Sequence, residues 1–333
     1  TWSFTDSTRM IAGLRYTEDE VYSAVTNFYG RAGTEILEIE SEKVTGRLAL
    51  EVDIGDATMA YASYTRGFKP GGSNLTFGRE DIVSPIVVLP VFEEETIDAF
   101  EVGLKTDLAD GRVRLNGAAF FYTYDNLQYQ ATDPEVFQGG VGNIPESEIM
   151  GAELELGAFL TDSLIFDARL AWLDTEITSS HLALDNVQSE GATNALLGQG
   201  ISLFSPDVEI ARAGQIADVE GNELAKTPGF TANLALTYTS PIGSWGDFEG
   251  SLSYTHRGDF RHRIFNNPIT DEVDGYDTID LVLRFSPADA NWRVELIGKN
   301  LTDEDGINAR FTDVFGVGAT GDQFIPPRVL MAR

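Results

Sequence analysis

Three histidines, His181, His256 and His262, are the only imidazoles in the chain, and there is no cysteine. Thiolate metal centres and disulfide frameworks are therefore excluded, and the histidine spacing matches no zinc motif. Asp303-Glu-Asp-Gly306 begins like a calcium loop, but the later acidic positions fall in the wrong register, which reads as a solvated loop. Glu153 and Glu155 stand two residues apart, the spacing of carboxylates on one face of a strand. They read as a polar wall rather than acid–base machinery, and no catalytic residue is assigned. His256 and His262 are interleaved with Arg257, Arg261 and Arg263. Arg261 and His262 are taken from this cluster as candidate contacts to an anionic ligand or a lipopolysaccharide phosphate, with salt bridging to local carboxylates as the plainer alternative. Arg66, Phe68 and Lys69 lead into Pro70-Gly-Gly72, a candidate ligand-facing cation–aromatic rim, with a motif that anchors the strand end as the plainer alternative. Tyr122, Tyr124 and Tyr129 climb one segment, and Tyr124 and Tyr129 are candidate stacking surfaces for a ring-bearing ligand, with an aromatic girdle or lumen filling as the alternative. No metal ligands and no cofactor are expected.

These residues need elements to hold them. The chain of 333 residues carries 23 Lys and Arg against 53 Asp and Glu, a formal charge of −30. Nucleic-acid binding is excluded, because phosphate recognition requires clustered cations. Apolar residues make up 42 %, yet no apolar run approaches the length of a membrane helix. A strand barrel remains possible, since its segments alternate.

Period-two alternation dominates. Val44, Gly46, Leu48, Leu50 and Val52 oppose Lys43, Thr45, Arg47, Glu51 and Asp53. Leu164, Phe166, Ala168, Leu170 and Trp172 oppose Asp167 and Arg169, and Phe230, Ala232, Leu234, Leu236 and Tyr238 oppose Thr231, Asn233, Thr237 and Thr239. Segments with one greasy and one charged face need two solvents, and about ten residues is the length of a tilted bilayer strand. Short turns near residues 5–7, 55–56, 109–111, 161–163, 241–246 and 287–291 alternate with long connections near 21–40, 69–92, 131–145, 179–226, 263–274 and 303–323. This predicts a transmembrane antiparallel β-barrel of about thirteen strands, with periplasmic turns and extracellular loops. Trp2, Trp245, Trp292 and Phe285 fall near the turns, and Trp172 and Tyr16 near the loops, as interfacial girdles would. No helix of useful length and no internal repeat is read. Loop 179–226 is long enough to fold over the mouth as a lid.

Several local words resemble TonB-dependent outer-membrane receptors: Tyr61-Ala-Ser-Tyr-Thr-Arg-Gly-Phe-Lys-Pro-Gly-Gly72, Gly13-Leu-Arg-Tyr16, Phe100-Glu-Val-Gly-Leu-Lys105, Gly151-Ala-Glu-Leu-Glu155, Gly298-Lys-Asn-Leu-Thr-Asp303 and Pro326-Pro-Arg328. The segment Asp218–Pro228 resembles the approach to a late strand. The resemblance implies residues 1–333 as the C-terminal portion of a plugged barrel of 22 strands, with no plug domain in this chain. The expected function is capture of a scarce extracellular ligand and its import with TonB-transduced energy. The ligand would be a ferric siderophore complex, a carbohydrate or another nutrient. Expected partners are outer-membrane lipid and lipopolysaccharide, and the TonB complex through a region upstream of this chain. The expected location is the outer membrane of a Gram-negative bacterium, as a monomer. The alternatives are a passive porin-like channel and a secreted soluble carbohydrate-binding β-protein.

Overall fold

The computed structural model describes residues 1–26, 34–74, 88–132, 139–312 and 320–333. In chain order the strands begin with β1 (Trp2–Ser3), β2 (Thr8–Thr26), β3 (Thr34–Asp53), β4 (Thr58–Lys69), β5 (Gly72–Ser73), β6 (Val91–Phe92), β7 (Glu95–Leu108), β8 (Val113–Thr132), β9 (Gly139–Phe159), β10 (Leu164–Ile177) and β11 (Leu182–Leu184). Helices α1 (Asn186–Gly198) and α2 (Pro206–Ala213) follow, then β12 (Ile216–Asp218), β13 (Phe230–Pro241), β14 (Gly246–Arg257), β15 (Phe260–Arg261) and β16 (Glu272–Val273). The chain closes with β17 (Tyr276–Pro287), β18 (Val294–Lys299), β19 (Ile307–Thr312), β20 (Thr320–Phe324) and β21 (Val329–Ala332).

Thirteen of these strands form one antiparallel sheet in the order β1-β2-β3-β4-β7-β8-β9-β10-β13-β14-β17-β18-β21. The four remaining strand pairs, β5–β6, β11–β12, β15–β16 and β19–β20, all lie in the long connections.

The register aligns the apolar faces of neighbouring strands. Leu48 pairs with Tyr64, Tyr64 with Phe100, Phe100 with Phe121 and Phe121 with Met150. Leu170 pairs with Ala232, Leu236 with Leu252 and Leu252 with Leu281. Among the described residues nothing covers this face: Leu14 is 86 % exposed, Val102 56 % and Leu252 46 %. A water-soluble protein rarely exposes so large an apolar patch. Among the described residues the greasy flank lies against no second protein layer.

The apolar run on that face spans nine residues in Met150–Ala158, Leu164–Trp172 and Phe230–Tyr238. That is the length of a tilted strand crossing a hydrocarbon core of about 30 Å. Polar side chains end the run towards the long connections: Glu18 beyond Tyr16, Glu42 beyond Val44, Asp98 beyond Phe100 and Asp174 beyond Trp172.

The opposite face is charged and cross-linked. Arg9 donates to Glu51 and Asp53 at 2.5 and 2.7 Å. Arg284 donates to Glu249 at 2.6 Å and to Glu295 at 2.8 Å, and Arg333 also reaches Glu295. Two motif glycines lie beneath rings from the adjacent strand. A Cβ on Gly103 would fall 2.5 Å from the Tyr61 ring, and one on Gly151 2.5 Å from the Phe120 ring, so only hydrogen fits there. The Asn300–Asp303 turn leads out of β18 and is tied to the entry of β21. Asn300 Nδ2 donates to the Glu304 and Pro326 carbonyls, while Asp303 receives the Arg328 amide and guanidinium.

Two expectations change. The connection 21–40 is mostly strand, because β2 runs to Thr26 and β3 starts at Thr34. Beyond Tyr16 both faces carry polar side chains, Glu18 and Glu20 on one and Asp19 on the other opposite Ser41, so the alternation that marks a bilayer strand is lost while its hydrogen bonds continue. Loop 179–226 contains two helices where none was read. Helix α1 has no coherent apolar stripe, and its cap, Asp185, receives the Val187 and Gln188 amides. No helix among the described residues is long and apolar enough to cross a membrane.

Candidate functional site

The long connections all emerge at one end of the sheet, and three of them lock together there. Residues 179–226 fold across the charged face as a cover. Ile177, Ala183, Val219, Leu224 and Ile264 are buried against Ile144 at the top of β9, a small core where the cover meets the upper ends of β9 and β10. Arg263 joins the cover to the connection that precedes β17. Its guanidinium donates to Asp185 at 2.7 Å and reaches Asp271 at 2.6 Å, with all three side chains at most 10 % exposed. A buried ion cluster holds only when its geometry and hydrogen bonds are complete. Asp271 meets this condition by also accepting the Asn267 amide and the Thr270 hydroxyl. The third connection joins through Arg310, which donates to the Glu272 and Thr270 carbonyls and pairs with Asp322 at 2.7 Å.

These pieces enclose a cavity of about 420 Å³ between the upper half of β8 and the cover. Tyr124, Tyr129, Lys226, His262, Phe265 and Phe311 are in its wall. Tyr129 is fixed edge-on to His181, their rings 5.3 Å apart, with its hydroxyl 2.8 Å from His181 Nε2. Burial pushes the His181 pKa down.

His262 is 6 % exposed. Its Nε2 lies 2.9 Å from the Thr312 hydroxyl, and its Nδ1 has no hydrogen-bond partner among the described residues. Burial first, then the charges of Lys226, Arg263 and Arg310, pull its pKa down to about 4. The imidazole is therefore neutral at physiological pH.

The sequence candidates do not all meet. Tyr124, Tyr129 and His262 meet in the cavity wall. Arg261 points elsewhere and pairs with Glu272 at 2.6 Å. The unbroken β4–β7 register sets Arg66 and Phe68 on the apolar face and Lys69 on the charged one. Arg66 lies 3.5 Å from Asp98, which also accepts the Tyr64 hydroxyl at 2.5 Å. The histidine–arginine cluster is likewise divided. His256 is on the apolar face against Asp277 at 2.8 Å, while Arg257 stacks over Phe260 and donates to the Asn308 carbonyl. Sequence reasoning passed over Lys226, Phe265 and Phe311. Ala225-Lys226-Thr227-Pro228 carries no periodic signal, and the two rings lie in connections read as featureless.

Comparison with known proteins gives a consistent result. Residues 1–301 match the family model described as TonB dependent receptor-like, beta-barrel. The probable TonB-dependent siderophore receptor PiuA of Acinetobacter baumannii is 26 % identical over 170 residues, 50 % of this chain and 22 % of that protein. The metal-pseudopaline receptor CntO of Pseudomonas aeruginosa is 24 % identical over 178 residues, 53 % of this chain and 23 % of that protein. Among solved structures, the ferric yersiniabactin uptake receptor FyuA of Yersinia pestis superposes with a TM-score of 0.71 at 17 % identity. That match covers 99 % of this chain and 43 % of FyuA. The PiuA crystal structure superposes at 0.70 with 19 % identity, covering 98 % of this chain and 40 % of PiuA. The chain thus spans less than half the length of these relatives.

Proposed function

This chain belongs to the TonB-dependent receptor β-barrel family of the Gram-negative outer membrane, and from that premise we propose that it supplies wall and mouth to a receptor importing a metal–chelator complex. The whole receptor would bind its ligand from outside and draw on TonB-transduced energy to admit it. Residues 1–333 would form part of the barrel, with TonB engaged by another region of the protein. Siderophore and metal-chelator receptors among the sequence relatives support a chelated metal as the cargo.

The observation that carries this reading is the covered cavity at the long-connection end. It joins ring surfaces with polar groups, the lining expected of a small-molecule site. The exposed apolar band argues against the soluble carbohydrate-binding alternative. A passive channel has no need of a cover held by a buried ion cluster. The protein acts in this reading by binding and gating, with no chemical step assigned to any residue.

The test is uptake of radiolabelled metal complexes by cells lacking the gene, grown under iron limitation. Loss of accumulation of one complex, restored by the full-length gene and abolished by uncoupling the proton gradient, is the expected result. Unchanged accumulation of every complex offered would sink the reading.

A further inference from the structure

We propose that this cavity takes a ring-bearing anion, an aryl carboxylate or phenolate group, held by the Lys226 ammonium and the Tyr124 hydroxyl. The proposal rests on reading the cavity as the ligand site and specifies the chemistry it selects.

A chain with a formal charge of −30 repels anions unless cations are concentrated locally. The guanidinium groups around the cavity are already engaged: Arg261 with Glu272, Arg263 with Asp185 and Asp271, and Arg310 with Asp322. Lys226 differs from them. It lines the cavity, its side chain is exposed, and its ammonium has no carboxylate partner among the described residues. Its backbone is left-handed, with φ of 64°, a region that side-chain-bearing residues rarely enter. Such outliers persist where the surroundings hold them and gather at ligand sites.

Tyr124 faces the same cavity from β8. The hydroxyls of Tyr61, Tyr64 and Tyr129 are bonded to Glu101, Asp98 and His181. That of Tyr124 makes no hydrogen bond among the described residues and meets only the charge of Glu95, which leaves a donor available to an incoming acceptor. The rings of Tyr124, Tyr129, Phe265 and Phe311 supply flat apolar surface beside this cation and donor. An ammonium and a phenolic donor together stabilise a carboxylate or phenolate by charge-assisted hydrogen bonds, and the rings stack on the group that bears it. At about 420 Å³ the cavity is at the small end of ligand sites, room for one or two substituted rings.

Salicylate and its neutral isostere salicylamide are the probes. They are titrated onto the full-length receptor in detergent at neutral pH and followed by ligand-observed nuclear magnetic resonance. Salicylate should bind about tenfold more tightly than salicylamide, the scale of one charge-assisted contact. Lys226→Met should erase that preference while leaving salicylamide affinity in place, which also reports an intact pocket. Lys226→Arg should keep the preference, and Tyr124→Phe should weaken salicylate several-fold. Equal affinities in the parent protein, no saturable binding of either probe, or a preference that survives Lys226→Met overturn the proposal. None of these outcomes bears on the uptake reading, which is decided by accumulation of the metal complex in cells.

Discussion

Arg263 and His262 sit side by side yet do opposite electrostatic work. Arg263 is a permanent cation enclosed by two carboxylates, so Arg263→Ala would leave Asp185 and Asp271 buried without their ion-pair partner, Asp271 keeping only the more distant charge of Arg310. Removing one partner from such a cluster costs about 3–5 kcal/mol. In the full-length receptor, amide exchange should therefore accelerate across residues 182–190 and 260–273, with the strands of the sheet unaffected. His262 is held neutral, with a pKa of about 4 against an ordinary value near 6.5. A histidine depressed in the folded state contributes stability above its unfolded pKa and loses it as pH falls towards the folded one. The loop assembly should accordingly loosen as pH drops from about 6.5 to 4, and His262→Gln should flatten the pH dependence of exchange in residues 307–312.

Strands obey two solvents, and substitutions should report which solvent each face meets. Leu252 and Ser253 are adjacent near the centre of β14 but face opposite ways. Arginine at Leu252 would lie among hydrocarbon chains and cost about 2–4 kcal/mol. Ser253→Arg faces the charged side and should be tolerated, and urea titration of refolding into lipid vesicles separates the two. Past the bilayer the rules change: Glu18 stands opposite Glu42, and Glu20 opposite Glu40. Like charges directly across a ladder repel, so Glu20→Lys should slow amide exchange in the upper β2–β3 hairpin, and added salt should shrink the difference. The same physics explains what the residues disclosed. Leu164–Trp172 was legible as a strand because grease and water on its two sides impose a period of two. Residues 18–26 and 34–42 were not, since water on both sides removes the need for any pattern. Helix α1 was hidden for a related reason, its packing resting on a cap, Asp185, and on small polar residues such as Ser189 and Thr193.

For the whole molecule, thirteen antiparallel neighbours in sequence order are what strictly alternating short and long connections predict, and the sheet has that order. Topology could be read in advance because each hairpin is local. The cavity could not, since it depends on meetings between distant segments, such as Arg263 with Asp185 across 78 positions. Tyr124, Tyr129 and His262 announced themselves as rings or titratable groups, whereas Lys226 became interesting only once its neighbours were seen to be paired among themselves. Because residues 1–333 contain no cysteine, a thiol introduced among them is the one thiol of this segment, and the unsubstituted receptor supplies the background. A maleimide too polar to enter cells should tag Glu38→Cys, high on the hairpin that outreaches the lipid, on living bacteria. The same reagent should miss Asp56→Cys, in a tight turn at the far end, until the envelope is broken open.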